Sequence, residues 1–282
     1  MGSLPDVYTL DKYHQAQTVL LICCGGTGGY VVPHLARFIS VLKNKTSVAL
    51  ILADNDVVEE KNLKRQHFIL RDIGKNKAEV LAERYSAALG VEIAALKKDV
   101  ENIKDFDVLY RYGIRSSSFL VISCVDNNAT RKIIWEWFKV HTHESKFWID
   151  SGNEETAGQV VCGHHPGSNV YYDTIKPMKT QKKRVGEFSI PCAIELYPDL
   201  LAESRFNSEL SCAERAISAP QNMQTNVTAA TLIMNFAQKI ISGLPLKSFA
   251  VEYNINNAFE TKHLTFENLL LVNPERKPYW EQ

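Results

Sequence analysis

Residues 18–29 read Thr-Val-Leu-Leu-Ile-Cys-Cys-Gly-Gly-Thr-Gly-Gly, an unbroken apolar run that gives way to glycines. A short run without polar alternation suits a strand buried on both faces of a parallel sheet, and the glycines then open a helix. That helix is predicted from about Gly28 to Leu42, because Val31, Val32, Leu35, Phe38, Ile39 and Leu42 share one apolar face. Residues 47–53 (SVALILA) supply the next strand and complete a βαβ unit.

Outward from this unit the alternation continues. A helix is predicted over 76–88, a strand over 92–96, a second buried strand over 119–124 (FLVISC), a helix over 127–142 and a strand over 146–150. Residues 172–190 carry Lys176, Lys179, Lys182, Lys183 and Arg184 with little apolar periodicity and read as a crossing loop. A long helix follows on Val227, Ala230, Leu232, Ile233, Phe236, Ile240 and Ile241, stopped by Gly243 and Pro245, with final strands over 249–255 and 263–271. The fold class expected is α/β: a doubly wound, Rossmann-like, mostly parallel sheet with helices on both faces and C-terminal antiparallel strands. One domain is expected over 1–282, with a nucleotide-binding core at 18–150 and the crossing loop, long helix and last strands at 151–282.

Composition narrows the function classes. Thirty-two basic residues balance 32 acidic ones among 282, so no net positive field recruits nucleic acid or an anionic membrane. No stretch approaches the roughly 20 apolar residues of a membrane span, and residues 1–17 lack the apolar core of a signal peptide. A cytoplasmic protein is expected. Six cysteines are sparse for this length, which argues against a disulfide framework.

The glycine segment falls where a Rossmann-type fold places its phosphate loop, so Gly25, Gly26, Thr27 and Gly28 are nucleotide-binding candidates. On its own it equally fits an NAD dehydrogenase or a purely structural turn. Asp54, ending the second strand, can accept hydrogen bonds from ribose hydroxyls of either nucleotide. The run Asp54-Asn55-Asp56-Val57-Val58 then leads into Asn62-Leu63-Lys64-Arg65-Gln66, followed by Asp72-Ile73-Gly74 and Lys77, and later by Asp126-Asn127-Asn128-Ala129-Thr130-Arg131. In order and spacing these motifs resemble the ThiF/MoeB and ubiquitin-activating enzyme superfamily.

The resemblance implies an ATP- and Mg²⁺-dependent adenylyltransferase acting on a C-terminal carboxylate. Asp54 and Asp56 would hold the ribose, Asn62, Arg65, Gln66 and Lys77 the phosphates, and Asp126 the Mg²⁺. A carboxylate attacking a triphosphate needs such cations and N–H groups, and Arg65 and Lys77 supply the charge. The plainer alternatives are Asp126 as a helix N-cap, Lys77 as a solvated helix residue and Arg65 as a surface ion-pair partner.

Residues 148–153 (WIDSGN) with Gly158-Gln159-Val160 look like ThiF-family proteins of PRTRC gene clusters, a similarity running from about Thr18 to Leu246. That likeness implies a small ubiquitin-like protein with a C-terminal glycine and a conjugating-enzyme-like protein as partners, and the superfamily implies a homodimer. Cys212 is placed like the catalytic cysteine of the short ubiquitin-fold-modifier-activating enzymes and could carry a thioester; a half-buried structural cysteine is the alternative. Cys192 is a second, less favoured thiol. Two departures stand out: Cys23 occupies the first glycine position of the phosphate loop, and no arginine precedes Arg37, so that either Lys12 or His14 substitutes in the family's N-terminal trans contact or that contact is missing and turnover is slow. Paired Cys-x-x-Cys motifs do not occur, so no zinc is expected, and Cys162, His164 and His165 read as a strand end with solvent-facing histidines. Other readings are adenylation of a peptide or tRNA-linked carboxylate, a nucleotide-binding interaction module without turnover, and the dehydrogenase.

Overall fold

The run at residues 18–22 forms β1 (Thr18–Ile22), with all five side chains buried. Because strand side chains alternate, Val19 and Leu21 enter one hydrophobic core while Leu20 and Ile22 enter another on the opposite face. That is why the stretch shows no polar alternation. The structure, a computed structural model, describes residues 8, 15–42, 47–113, 117–140, 143–167, 189–201, 222–256 and 259–266.

Around β1 lie α1 (Gly26–Leu42), β2 (Ala49–Ala53), α2 (Lys77–Leu89), β3 (Ile93–Leu96), α3 (Asp107–Tyr112), β4 (Ser118–Ser123), α4 (Asn128–Lys139) and β5 (Ser145–Asn153). The antiparallel strand β6 (Ala157–His165), the short α5 (Ala193–Leu196), the long α6 (Met223–Ser242), β7 (Ser248–Asn254) and β8 (Glu260–Thr265) complete the order. The eight strands form one sheet, β3-β2-β1-β4-β5-β6-β7-β8. The first five are parallel, and β6, β7 and β8 join antiparallel. The chain steps outward from β1 to β3, then returns to the other side of β1 at β4. This reversal opens a crevice beyond the carboxyl ends of β1 and β4, where open α/β sheets bind ligands.

Helices cover both faces, as expected. Residues of α1, α2 and α6 share one core with Val19 and Leu21, while Val108, Leu109, Ile134, Trp137 and Phe138 from α3 and α4 share the other. Helix ends follow local chemistry. Asn76, Asn127 and Asn222 accept hydrogen bonds from the N–H groups of Glu79, Thr130 and Gln224, capping α2, α4 and α6. Gly243 ends α6 at φ 65°, the left-handed conformation that a side chain disfavours.

Three expectations need correction. Residues 157–165 form a full strand, pairing with β5 from Asn153↔Gly158 to Lys146↔His165. Its strand character is hidden in sequence because glycines at 158 and 163 dilute the apolar pattern. His164 does not face solvent: it is fully buried, with Tyr8 Oη 2.6 Å from Nδ1, Ser145 Oγ 2.7 Å from Nε2 and Phe147 stacked on the ring. A neutral imidazole with a hydroxyl at each nitrogen can be buried without an uncompensated charge. The last strand starts at Glu260, three residues earlier than the pattern indicated. Among the described residues no helix is long and apolar enough to cross a membrane.

Candidate functional site

The phosphate-loop candidate is built by a sharp turn at Cys23. Its φ of 71° makes it the one non-glycine residue at positive φ among the described residues. The turn puts the Cys23 carbonyl oxygen 1.9 Å from where a Cβ on Gly28 would lie, so Gly28 has no room for a side chain. Close passage of loop and helix is the physical demand behind the glycine pattern. The N-terminus of α1, whose first-turn N–H groups have no acceptor within the helix, lies just beyond the end of β1.

Asp54 ties this loop to β2. Its Oδ2 accepts from the Cys24 N–H at 2.6 Å and its Oδ1 from the Asp56 N–H at 2.8 Å. Burial pushes the carboxyl up to about 6, against the lowering effect of Lys77. Asn76 Nδ2 donates to the carbonyls of Asp54 and Asp56 at 2.8 and 3.1 Å, which fixes where α2 begins. Its first residue, Lys77, is buried with Nζ 2.7 Å from Asp56 Oδ2. Burial alone would lower Lys77, but the carboxylates of Asp54 and Asp56 outweigh it and hold the ammonium above its ordinary value. Lys77 is thus no solvated helix residue.

The segment between these anchors carries the remaining candidates. Asn62 is buried and its Oδ1 accepts from the Glu59 N–H at 2.9 Å, shaping the turn whose Asn62 carbonyl receives the N–H groups of Arg65 and Gln66. Arg65 is half-buried, and no ion pair joins it to another described residue. Gln66 lies against Gly25, with Nε2 3.7 Å from a Cβ built there, and its buried Oε1 has no hydrogen-bond partner. The idle atom is an acceptor, so only an N–H or O–H donor can complete it.

Opposite, Arg131 secures the loop that holds Asp126. Its Nε lies 3.2 and 3.1 Å from the two carboxylate oxygens of Asp150, and Nη2 donates to the Val125 carbonyl at 2.7 Å. Asn127, not Asp126, caps α4, and Asp126 is an exposed residue at the rim of the cleft. One cleft is lined by Cys23, Asp54, Asp56, Asp99, Glu101 and Asp126 among others. Asp54, Asp56 and Asp126 are therefore brought together, with Lys77 joined to them through Asp56.

Thr27 is directed elsewhere. Its hydroxyl donates to Asn226 Oδ1 at 3.1 Å and accepts from Asn153 Nδ2 at 2.6 Å, and Asn153 Oδ1 accepts from the Ser151 and Tyr253 hydroxyls. This network binds α1 to β5, α6 and β7, and commits the one hydroxyl proton of Thr27 to Asn226. Sequence reasoning missed Asn153, Asn226, Asp99 and Glu101. Asn226 carried a signal: it sits on the apolar stripe with Ala230, Ile233, Ala237 and Ile240. Cys212 lies outside the described residues, as do Lys12 and His14. Cys192 offers no thiolate, because burial drives its thiol well above the ordinary value.

The family model of the ThiF family matches residues 8–277. The chain belongs to the ThiF family. No curated protein matches it in sequence. Among solved structures it is similar to E. coli MccB with ATP, at TM-score 0.54 and 19% identity, covering 90% of this chain and 65% of that one. It is similar also to PaaA, at TM-score 0.54 and 17% identity, covering 90% and 65%. The structure of the microcin C7 biosynthetic enzyme MccB in complex with N-formylated MccA gives TM-score 0.55 and 17% identity, covering 91% and 66%. This ThiF-family chain thus spans about two thirds of the length of those proteins, and at such identities the likeness is one of fold.

Proposed function

We propose that this chain is an adenylyltransferase that binds ATP in the cleft beyond β1, β2 and β4 and activates the C-terminal carboxylate of another polypeptide. The observation that carries the reading is the arrangement of charge. A cleft lined by five carboxylates is hostile to a triphosphate, yet α1 starts just beyond its wall at Cys23 and the buried Lys77 ammonium meets it through Asp56, which gives it an anion-accepting side. Phosphates belong on that side, and the ribose hydroxyls, which donate, belong on the acidic one. Asp54 can accept from them because each carboxylate oxygen bonds only one N–H and keeps a second lone pair.

In the reaction a carboxylate oxygen attacks the α-phosphorus, the bond to the bridging β-oxygen breaks, and pyrophosphate leaves with its electron pair. Lys77 and Arg65 oppose the charge that builds on the phosphoryl oxygens. Mg²⁺ takes oxygen ligands and often one carboxylate plus phosphates, a set that the rim carboxylate of Asp126 suits. When bound, it would neutralise phosphate charge at the cleft mouth.

The partner favoured is a small ubiquitin-like protein ending in glycine, with a conjugating-enzyme-like protein downstream, a homodimeric enzyme and Cys212 as the thioester candidate. The resemblance of residues 148–160 to PRTRC-cluster proteins supports it. A short peptide is the second reading, supported by the likeness to MccB solved with N-formylated MccA. ATP–pyrophosphate exchange, measured with a ubiquitin-like protein and with a peptide, separates the two. Asp126→Ala is expected to abolish exchange; exchange unchanged by that substitution would sink the assigned chemistry. Absence of a thioester on the wild-type chain would remove Cys212.

A further inference from the structure

Cys23 is the residue of the cleft that the proposed chemistry leaves without a role. Position 23 must turn at φ 71° for its carbonyl to pass beneath Gly28, a conformation that a Cβ resists. A glycine would make the same turn without strain. The side chain that is present instead is half-buried and lines the cleft. Its Sγ lies 3.6 Å from the Cβ position of Gly25, so it covers the face of the glycine against which the Gln66 amide also rests. It lines the same cleft as Asp54 and Asp126.

We propose that the Cys23 side chain is a specificity-determining obstruction. Held in the cleft by the left-handed turn, it limits how closely the α-phosphate end of a nucleotide approaches the loop. The inference rests on the nucleotide reading above.

The test compares wild type, Cys23→Ala, which removes Sγ but keeps the strained turn, and Cys23→Gly, which removes both. Affinity for Mg·ATP is measured by calorimetry and folding is checked by thermal unfolding of each form. Cys23→Gly is expected to bind about 5- to 10-fold more tightly at a melting temperature no lower than wild type, and Cys23→Ala to recover part of that gain. Affinity that is unchanged or weaker in both folded variants overturns the inference, because Sγ is then no obstacle. Wild type and both variants all failing to bind ATP or any other nucleotide overturns the nucleotide reading itself, a different result from equal binding by all three.

Discussion

Asp54→Asn separates the structural and electrostatic roles of the residue that ties the phosphate loop to β2. The native carboxyl is 4% exposed and is pushed up to about 6 by burial, whereas an exposed aspartate titrates near 3.8. A raised carboxyl favours the protonated fold, so its stabilising effect is complete below the unfolded value and is lost as pH rises through the folded one. A shift of about two units corresponds to roughly 3 kcal/mol in total, of which about 2 kcal/mol falls between about pH 4.5 and pH 7.5. Asparagine carries no titrating charge, so this slope disappears. It also has one acceptor oxygen where the carboxylate has two, and either the Cys24 or the Asp56 N–H loses its partner at about 1–3 kcal/mol. At neutral pH the two effects nearly cancel, while toward pH 4.5 the variant becomes the less stable protein. Urea unfolding of both proteins across this range measures the difference directly. Parallel pH profiles for wild type and variant would refute the argument, since they would mean that Asp54 titrates alike in the folded and unfolded chains. Nucleotide affinity is expected to fall in the variant even where stability matches, because an amide offers the ribose one acceptor oxygen where the carboxylate offers two.

Arg131→Met leaves the buried Asp150 carboxylate without its cation and frees the Val125 carbonyl, at a cost of about 3–5 kcal/mol readable in urea unfolding. A loss below about 1 kcal/mol would show that this ion pair does not hold the Asp126 loop. Thr27→Val keeps the shape of the side chain but deprives Asn153 and Asn226 of a partner each, costing about 1–3 kcal/mol, with Thr27→Ser restoring most of it. Equal melting temperatures for the valine and serine variants would exclude the hydroxyl as the cause.

The parallel half of the sheet was legible because its signals are local. β1 is apolar from Val19 to Ile22 since both faces are covered, and α2 is delimited by Asn76 and Gly90, whose capping preferences act within a few residues. The motif around Asp54, Asn62, Arg65, Gln66, Lys77 and Asp126 was readable in the same way, as residue types at characteristic spacing. β6 was not, because what makes it a strand is the pairing offered by β5 and β7, not its own side chains. Nor was the burial of His164, which depends on Tyr8 and Ser145 arriving from 156 and 19 residues away.

By itself, then, the sequence determined the alternation of strand and helix, the family motifs and the anomaly of a cysteine where a glycine belongs, since each depends on neighbours in the chain. The tertiary structure alone decided what those residues do. It drew Thr27 into a network with Asn153 and Asn226, set one backbone N–H on each oxygen of Asp54 and buried Lys77 beside Asp56. It also drove the thiol of Cys23 into the cleft. Hydrogen bonding and burial act over a few ångströms in space, and only folding brings residues 27, 153 and 226 that close.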